Sequence, residues 1–285
     1  MRVRFCGVRG STPAPGPEFL RYGGHTSCLA LIHDGERVPR LVLDAGIGLR
    51  HVTALLGGEP FDGTILLSHL HWDHTLELPF FASGDRLDSR VRVLMPQQPA
   101  GRDALSVLSQ IMTPPFFPVE PTRLRGEWSF DSLEPGEHRI EGFTVLAREI
   151  PHKGGRTFGY RISDGHSTLT YMPDHCPTVL GAGEDGFGAY HEAALELAHA
   201  SDLLVHDAQL FPEELAAEAD FGHAVADYPV QLAKRAGARA VALFHHRFNR
   251  TDDALDGLAA RLGGGAREAG SPFVLVAREG EVMEL

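Results

Sequence analysis

Within the six residues His69-Leu70-His71-Trp72-Asp73-His74 the chain places three imidazoles and one carboxylate. They follow the apolar run Thr64-Ile65-Leu66-Leu67, which has the length and β-branching of a buried strand. In an extended segment alternate side chains share a face, so His69 and His71 point the same way. A turn at Trp72 then brings Asp73 and His74 around to face them. A catalytic zinc takes about three protein ligands and keeps one position open. Four candidate ligands here, with more downstream, imply a pair of ions rather than one. The bland reading is a solvated His-rich loop. It explains polar residues in a loop but not their crowding at the end of a buried strand.

The remainder of the chain fits a mixed α/β protein. Strands are expected over residues 2–6, 29–33, 40–46, 143–150, 158–162, 167–172, 203–208, 240–244 and 273–277, and helices over 104–112, 189–199 and 229–236. A short helix is expected to start within 76–81. Several histidines and aspartates close these strands: Asp44, His152, Asp174, Asp207 and His245-His246. Asp44 also fits a helix N-cap. The proline-rich, aromatic stretch 113–118 is unsuited to a central strand. The region around 100–125 therefore reads as an insertion, a lid or an interface.

Composition sets further bounds. The chain has 285 residues, 43% hydrophobic and 22% charged, ordinary for a globular protein with a full core. No apolar run reaches the length of a membrane span or a signal peptide, so no membrane partner and a cytoplasmic location are expected. Cys6, Cys28 and Cys176 are too scattered for a disulfide framework. A net charge of −12 argues against nucleic acid as a partner. A homodimer is compatible with the proline-rich stretch.

His69, His71, Asp73 and His74 resemble the H-x-H-x-D-H signature of the metallo-β-lactamase superfamily, and the order of motifs extends that resemblance from Phe5 to about Asp253. It implies a four-layer αββα sandwich of two mixed sheets flanked by helices, formed by residues 1–285 as one hydrolase domain. It also implies two divalent metal ions, zinc first, with manganese or iron as alternatives. His69, His71 and His152 would hold one; Asp73, His74 and His245 would hold the other, with Asp174 bridging. His245 is preferred to His246 because it directly ends its strand. Asp44 would sit behind the site and orient ligands. The chain departs from the family at Glu77, where glycine is more usual, and around Asp174, where His175 and Cys176 replace the usual surroundings. Cys176 fits a small buried residue better than a zinc ligand.

Asp207 and His223 resemble the carboxylate and histidine of the phosphodiesterase branch, which holds tRNase Z and the cyclic-nucleotide phosphodiesterases. By that resemblance His223 protonates the leaving oxygen or hydrogen-bonds the phosphoryl oxygens, oriented by Asp207. Asp73 joins them as a catalytic residue, and Lys153, Arg247 and Arg250 are candidate phosphate contacts. The long basic arm of tRNase Z has no counterpart here. The expectation is therefore a phosphodiesterase that hydrolyses a small cyclic nucleotide or cyclic phosphate through a metal-bridging hydroxide. The alternatives are a lactonase, thioesterase or β-lactamase on the same fold, or an RNA 3′-end nuclease. A non-catalytic metal-dependent interaction protein would not need so complete a ligand set.

Overall fold

The structure, a computed structural model, describes residues 1–263 and 270–285. In chain order the first half contains β1 (Arg2–Gly7), β2 (Cys28–Ile32), β3 (Leu41–Leu43), α1 (Arg50–Leu55), β4 (Asp62–Leu66), β5 (Arg90–Pro96), α2 (Ala104–Leu108) and β6 (Glu127–Leu133). The second contains β7 (Gly136–Ile140), β8 (Phe143–Ile150), β9 (Thr157–Ser163), β10 (Thr168–Met172), α3 (Glu192–Ala198), β11 (Leu203–Asp207), α4 (Leu215–Glu218), α5 (Asp227–Ala236), β12 (Ala240–Phe244), α6 (Asp252–Gly263), β13 (Phe273–Val276) and β14 (Val282–Glu284). They form two seven-stranded sheets, ordered β14-β1-β2-β3-β4-β5-β6 and β13-β12-β11-β10-β9-β8-β7.

Period-two alternation decides which layer each side chain joins. Leu29 and Leu31 of β2 face the second sheet and share a core with its Phe143, Val145, Leu203 and Val205, while Ala30 faces outward. Outside the first sheet, Ala30, Val42, Ile65 and Val93 pack under Val52 of α1 and Leu108 of α2. Outside the second, Leu204, Val241 and Leu243 pack under Leu197, Leu232 and Leu255 of α3, α5 and α6. Each fully buried aliphatic or aromatic side chain contributes about 1.5–3 kcal/mol. Burial on both faces explains why the central strands read as continuous apolar runs. The four layers are the αββα sandwich of two mixed sheets expected from the resemblance. No helix among the described residues is long and apolar enough to cross a membrane.

Four strands, β5, β6, β7 and β14, and two helices, α4 and α6, went unforeseen. In β5 the exposed Arg90 and Arg92 interrupt the apolar run. β6 and β7 are the last strands of their sheets. Their outward positions carry Glu127, Asp131, Glu137 and Arg139, which dilute the apolar signal. β14 is only three residues long. α6 opens with Asp252 and Asp253, which the strand-end pattern draws into the preceding loop. The helix expected over 104–112 closes at Leu108.

Strand direction then gathers the polar residues. β3 runs parallel to β4, and β10, β11 and β12 run parallel to one another. β8 shares their direction through two antiparallel pairings with β9. Residues that follow β3, β4, β8, β10, β11 and β12 therefore emerge along one edge of the sandwich.

Candidate metal centre

Asp44 follows β3, His69 to His74 follow β4, His152 follows β8, Asp174 follows β10, Asp207 ends β11 and His245 follows β12. They meet at that edge and are mostly buried. His74 Nε2 lies 2.9 Å from Asp174 Oδ2, 3.3 Å from Asp73 Oδ2 and 3.3 Å from His245 Nε2. His245 Nε2 is 3.1 Å from Asp73 Oδ2 and 3.3 Å from Asp174 Oδ2. On the other side, His152 Nε2 is 3.3 Å from His71 Nδ1 and 3.5 Å from Asp174 Oδ1, and His69 Nε2 is 4.0 Å from the same oxygen. Asp174 thus turns Oδ1 toward His69 and His152, which meet His71, and Oδ2 toward His74 and His245, which meet Asp73.

Two ligands at about 2.1 Å from one tetrahedral ion stand about 3.4 Å apart, and most of these separations are close to that edge. Hydrogen bonding does not account for the cluster. His74 Nδ1–H donates to Asp44 Oδ2 at 2.7 Å, which leaves the Nε2 lone pair turned toward carboxylates and a second imidazole. His69 Nε2 is buried without any hydrogen-bond partner, and Asp174 Oδ2 faces only imidazole nitrogens, at 2.9 Å from His74 and 3.3 Å from His245. Leaving a buried atom unsatisfied costs roughly 1–3 kcal/mol, and a cation here removes that cost. These donors fit divalent metals.

Electrostatics point the same way. Burial opposes charge on His74, but Asp73, Asp174 and Asp44 outweigh it and raise its pKa well above the usual imidazole range. Burial also opposes ionisation of Asp174 and Asp73; the imidazoles, His245 foremost for Asp174 and His74 for Asp73, hold both well below the carboxylate range. His69, where burial dominates, is depressed. The group demands positive charge at its centre, and a proton on His74 meets that demand only in part.

The supporting residues are spread along the chain. Asp44 caps no helix. Its carboxylate accepts from Ser68 N–H (2.6 Å), Ser68 Oγ–H (2.9 Å) and Tyr171 O–H (2.7 Å) as well as from His74. Asp44 and His245 both adopt left-handed backbone angles (φ 59° and 57°), conformations that cost about 1–3 kcal/mol and persist where the surroundings enforce them. His152 Nδ1–H donates to the Gly222 carbonyl at 2.7 Å. Gly222 has φ +92°, and a side chain there would sit 3.2 Å from that imidazole. At Gly10 a Cβ would come within 2.4 Å of His245 Nδ1, so only glycine lets this loop close over the ligand. Ser11 N–H donates to Asp73 Oδ2 at 2.7 Å, and the Gln209 amide lies 3.2 Å from His245 Nδ1. Ser11, Gly10, Ser68, Tyr171 and Gln209 escaped sequence reasoning. Only Ser68, adjacent to the motif, carried a local signal.

His223 joins the cluster. Its Nδ1–H donates to Asp207 Oδ2 at 3.0 Å and lies 3.6 Å from Asp174 Oδ1, and its ring stacks on His245 at 5.1 Å. Burial lowers its pKa, but Asp207, Asp174 and Asp73 prevail and push it up to about 9. Asp207 is itself held by His175 N–H (3.1 Å), Gln209 N–H (3.0 Å) and Ala224 N–H (3.2 Å).

Other sequence candidates stand elsewhere. His246 turns away and its Nε2–H donates to the Ala277 carbonyl at 2.9 Å. Lys153 donates to the Asp220 carbonyl (2.8 Å), Arg247 pairs with Glu218 (2.7 Å) and Arg250 with Glu214 (2.6 Å). The partners of these three cations, Glu214, Glu218 and Asp220, lie in α4 or within two residues of it. Glu77 is buried under the Arg50 guanidinium at 3.1 Å. Cys176 lies against Thr178 and Ala219.

A family model of the β-lactamase superfamily domain matches residues 39–246. The chain is 25% identical to a Ribonuclease Z of Haloarcula marismortui over 86% of each chain. It is also 25% identical to a Ribonuclease Z of Gemmatimonas aurantiaca, over 99% of this chain and 95% of that protein. In fold it resembles the metallo-β-lactamase fold protein YhfI from Bacillus subtilis (TM-score 0.67, 20% identity, covering 99% and 98% of the two chains). It likewise resembles the short form of human tRNase Z (TM-score 0.66, 18% identity, covering 100% and 99%).

The relatives overturn the expectation that nucleic acid is excluded as a partner. That expectation rested on net charge, which sums the whole surface, whereas phosphate meets only the local field at the site. With the matched family model covering most of the chain, this protein belongs to the β-lactamase superfamily, as a metallo-β-lactamase-fold hydrolase.

Proposed function

We propose that this chain is a metal-dependent phosphodiesterase that hydrolyses RNA phosphodiesters, with His69, His71 and His152 holding one divalent ion, Asp73, His74 and His245 the other, and Asp174 touching both. The observation that carries it is the Asp207–His223 pair, docked 3.6 Å from Asp174 in a chain whose relatives bear the name Ribonuclease Z. Lactam or lactone opening has no need of that pair.

When bound, two such ions acidify a water molecule and neutralise the non-bridging oxygens of a phosphodiester. The protein's own residues do the rest. Asp44 fixes the tautomer of His74 through Nδ1, so Nε2 keeps its lone pair for the centre. Gly222 does the same for His152. Asp207 engages His223 Nδ1, which leaves Nε2 as the nitrogen that meets the substrate. A protonated His223, favoured by its carboxylate neighbours, donates that Nε2 proton to the departing ribose oxygen or to a phosphoryl oxygen.

The test is a substrate panel on zinc-loaded protein: RNA with a single-stranded 3′ extension, bis-p-nitrophenyl phosphate, cyclic nucleotides, a lactone and nitrocefin. Cleavage of the RNA extension is expected, with nitrocefin and lactone inert. Turnover of lactone or nitrocefin with inert phosphodiesters overturns the phosphodiesterase reading. Turnover of cyclic nucleotides with intact RNA overturns the assignment to RNA.

A further inference from the structure

A second group of metal-ligating side chains lies apart from the centre described above. His25, in the loop before β2, His51, in α1, and Glu279, in the turn between β13 and β14, each offer a ligand atom within 4.8 Å of the other two. His25 Nδ1 is in direct contact with Glu279 Oε1. His51 Nδ1 stands 3.4 Å from that oxygen, the separation of two ligands on one tetrahedral ion with bonds of about 2.1 Å. The two imidazole rings meet edge to face at 4.6 Å.

The surroundings suit a cation. The Glu279 side chain is only 9% exposed, and its ion-pair partners are these two imidazoles. The nearby Arg50 guanidinium is committed to Glu77. Two neutral imidazoles and a carboxylate carry one negative charge, which a divalent ion reverses. Both histidines are partly exposed, and His25 and Glu279 line an open cavity of about 540 Å³, so an ion and its remaining water ligand have access. In the metal-free ring His51 Nδ1–H donates to the Cys6 carbonyl at 2.8 Å; binding at that nitrogen requires the other tautomer, with the ring proton on Nε2.

We propose that His25, His51 and Glu279 bind one divalent transition-metal ion of the zinc class, separate from the dinuclear centre. The site joins three segments remote in sequence, and one of them supports the catalytic edge. The His25 carbonyl accepts from Val8 N–H and Arg9 N–H at 2.9 Å each, and the loop that follows delivers Ser11 N–H to Asp73. An ion here pins the loop that closes over the catalytic ligands. Its role is structural.

The experiment counts metal in the full chain. Metal-free protein is loaded with excess Zn²⁺, desalted and weighed by native mass spectrometry, alongside Glu279→Gln and His51→Gln. Each variant is expected to hold one ion fewer than the wild type, and this difference is independent of how many ions the dinuclear centre takes. Variants that fold and hold as many ions as the wild type overturn the site. The wild type offers a check that needs no variant: Zn²⁺ should block carbethoxylation of His51 and His25 by diethyl pyrocarbonate, read by peptide mapping. Equal modification of both with and without Zn²⁺ overturns the proposal.

Discussion

Two histidine clusters flank the end of β11, and they differ in kind. In the first, His69, His71, His74, His152 and His245 surround Asp73 and Asp174, and the buried His69 Nε2 has no hydrogen-bond partner. In the second, His206, His175 and His191 form a chain with nitrogen separations of 2.9 and 2.8 Å. Its tautomers follow from its ends. His206 Nδ1–H donates to the Asp207 carbonyl at 2.7 Å, so His206 Nε2 accepts from His175 Nδ1–H, and His175 Nε2 accepts from His191 Nε2–H. Both nitrogens of His206 and of His175 are paired, and burial lowers the pKa of all three rings, that of His206 to about 4. A cluster of histidines becomes a cation site through the carboxylates among them. Histidine count alone does not make one.

The comparison breaks most visibly at Asp174. Asp174→Ala removes the carboxylate that faces both ligand groups, and we expect kcat to fall by at least about a thousandfold as charge stabilisation at the phosphate is lost. Elemental analysis should show a lower metal content in the same variant. Unchanged metal and rate would remove the distinction between the clusters.

His223→Ala is next, with an expected loss in kcat of about 10²–10⁴-fold while the metal content holds. The loss should be large for an alkoxide leaving group and smaller for p-nitrophenolate, which needs no proton. Equal losses would assign His223 to phosphate binding. Asp207→Asn should give a milder version. Asp44→Asn acts one step further from the ions and should weaken metal affinity by about 10–100-fold, measured by chelator competition.

On the other side of the comparison, His206→Gln should leave the metal content intact and cost about 1–3 kcal/mol of stability in denaturant unfolding. The pH dependence sharpens the point. The folded-state pKa of His206 lies below that of the unfolded chain, so its contribution is complete above about 6.5 and declines as pH falls toward about 4. The variant should therefore lose less stability than the wild type over that window. A loss of metal in His206→Gln would merge the two clusters.

The smallest effect concerns the region around 100–125. Phe116 is 79% exposed and Trp72, inside the metal motif, 70% exposed, and both line an apolar hollow of about 420 Å³ with Phe80 and Phe117. If this segment covers the mouth of the site, Phe116→Ala should raise KM about two- to tenfold, the loss of one aromatic contact, with metal content unchanged. An unaltered KM would make the segment local packing only.

The sequence by itself determined a mixed α/β chain with histidines and aspartates closing its strands, and its resemblance to a known family supplied the sandwich and the ligand set. Those features are written in short range: continuous apolar runs along β2 and β11, alternation along β8, and a turn compressed into His69 to His74. Only the tertiary structure decided which histidines do what. His245 and His246 are neighbours, yet a left-handed residue turns one toward Asp73 and the other toward the Ala277 carbonyl. His152 and His206 both sit at strand ends, yet one reaches Asp174 and the other a closed chain of hydrogen bonds. Glu77 looked like an intruder at the centre until Arg50 covered it. The role of an imidazole depends on what its two nitrogens meet, and those partners lie far off in sequence: 30 positions for His74 and Asp44, 172 for His245 and Asp73. Local periodicity carries no record of contacts at that distance, because they exist only once both sheets have packed.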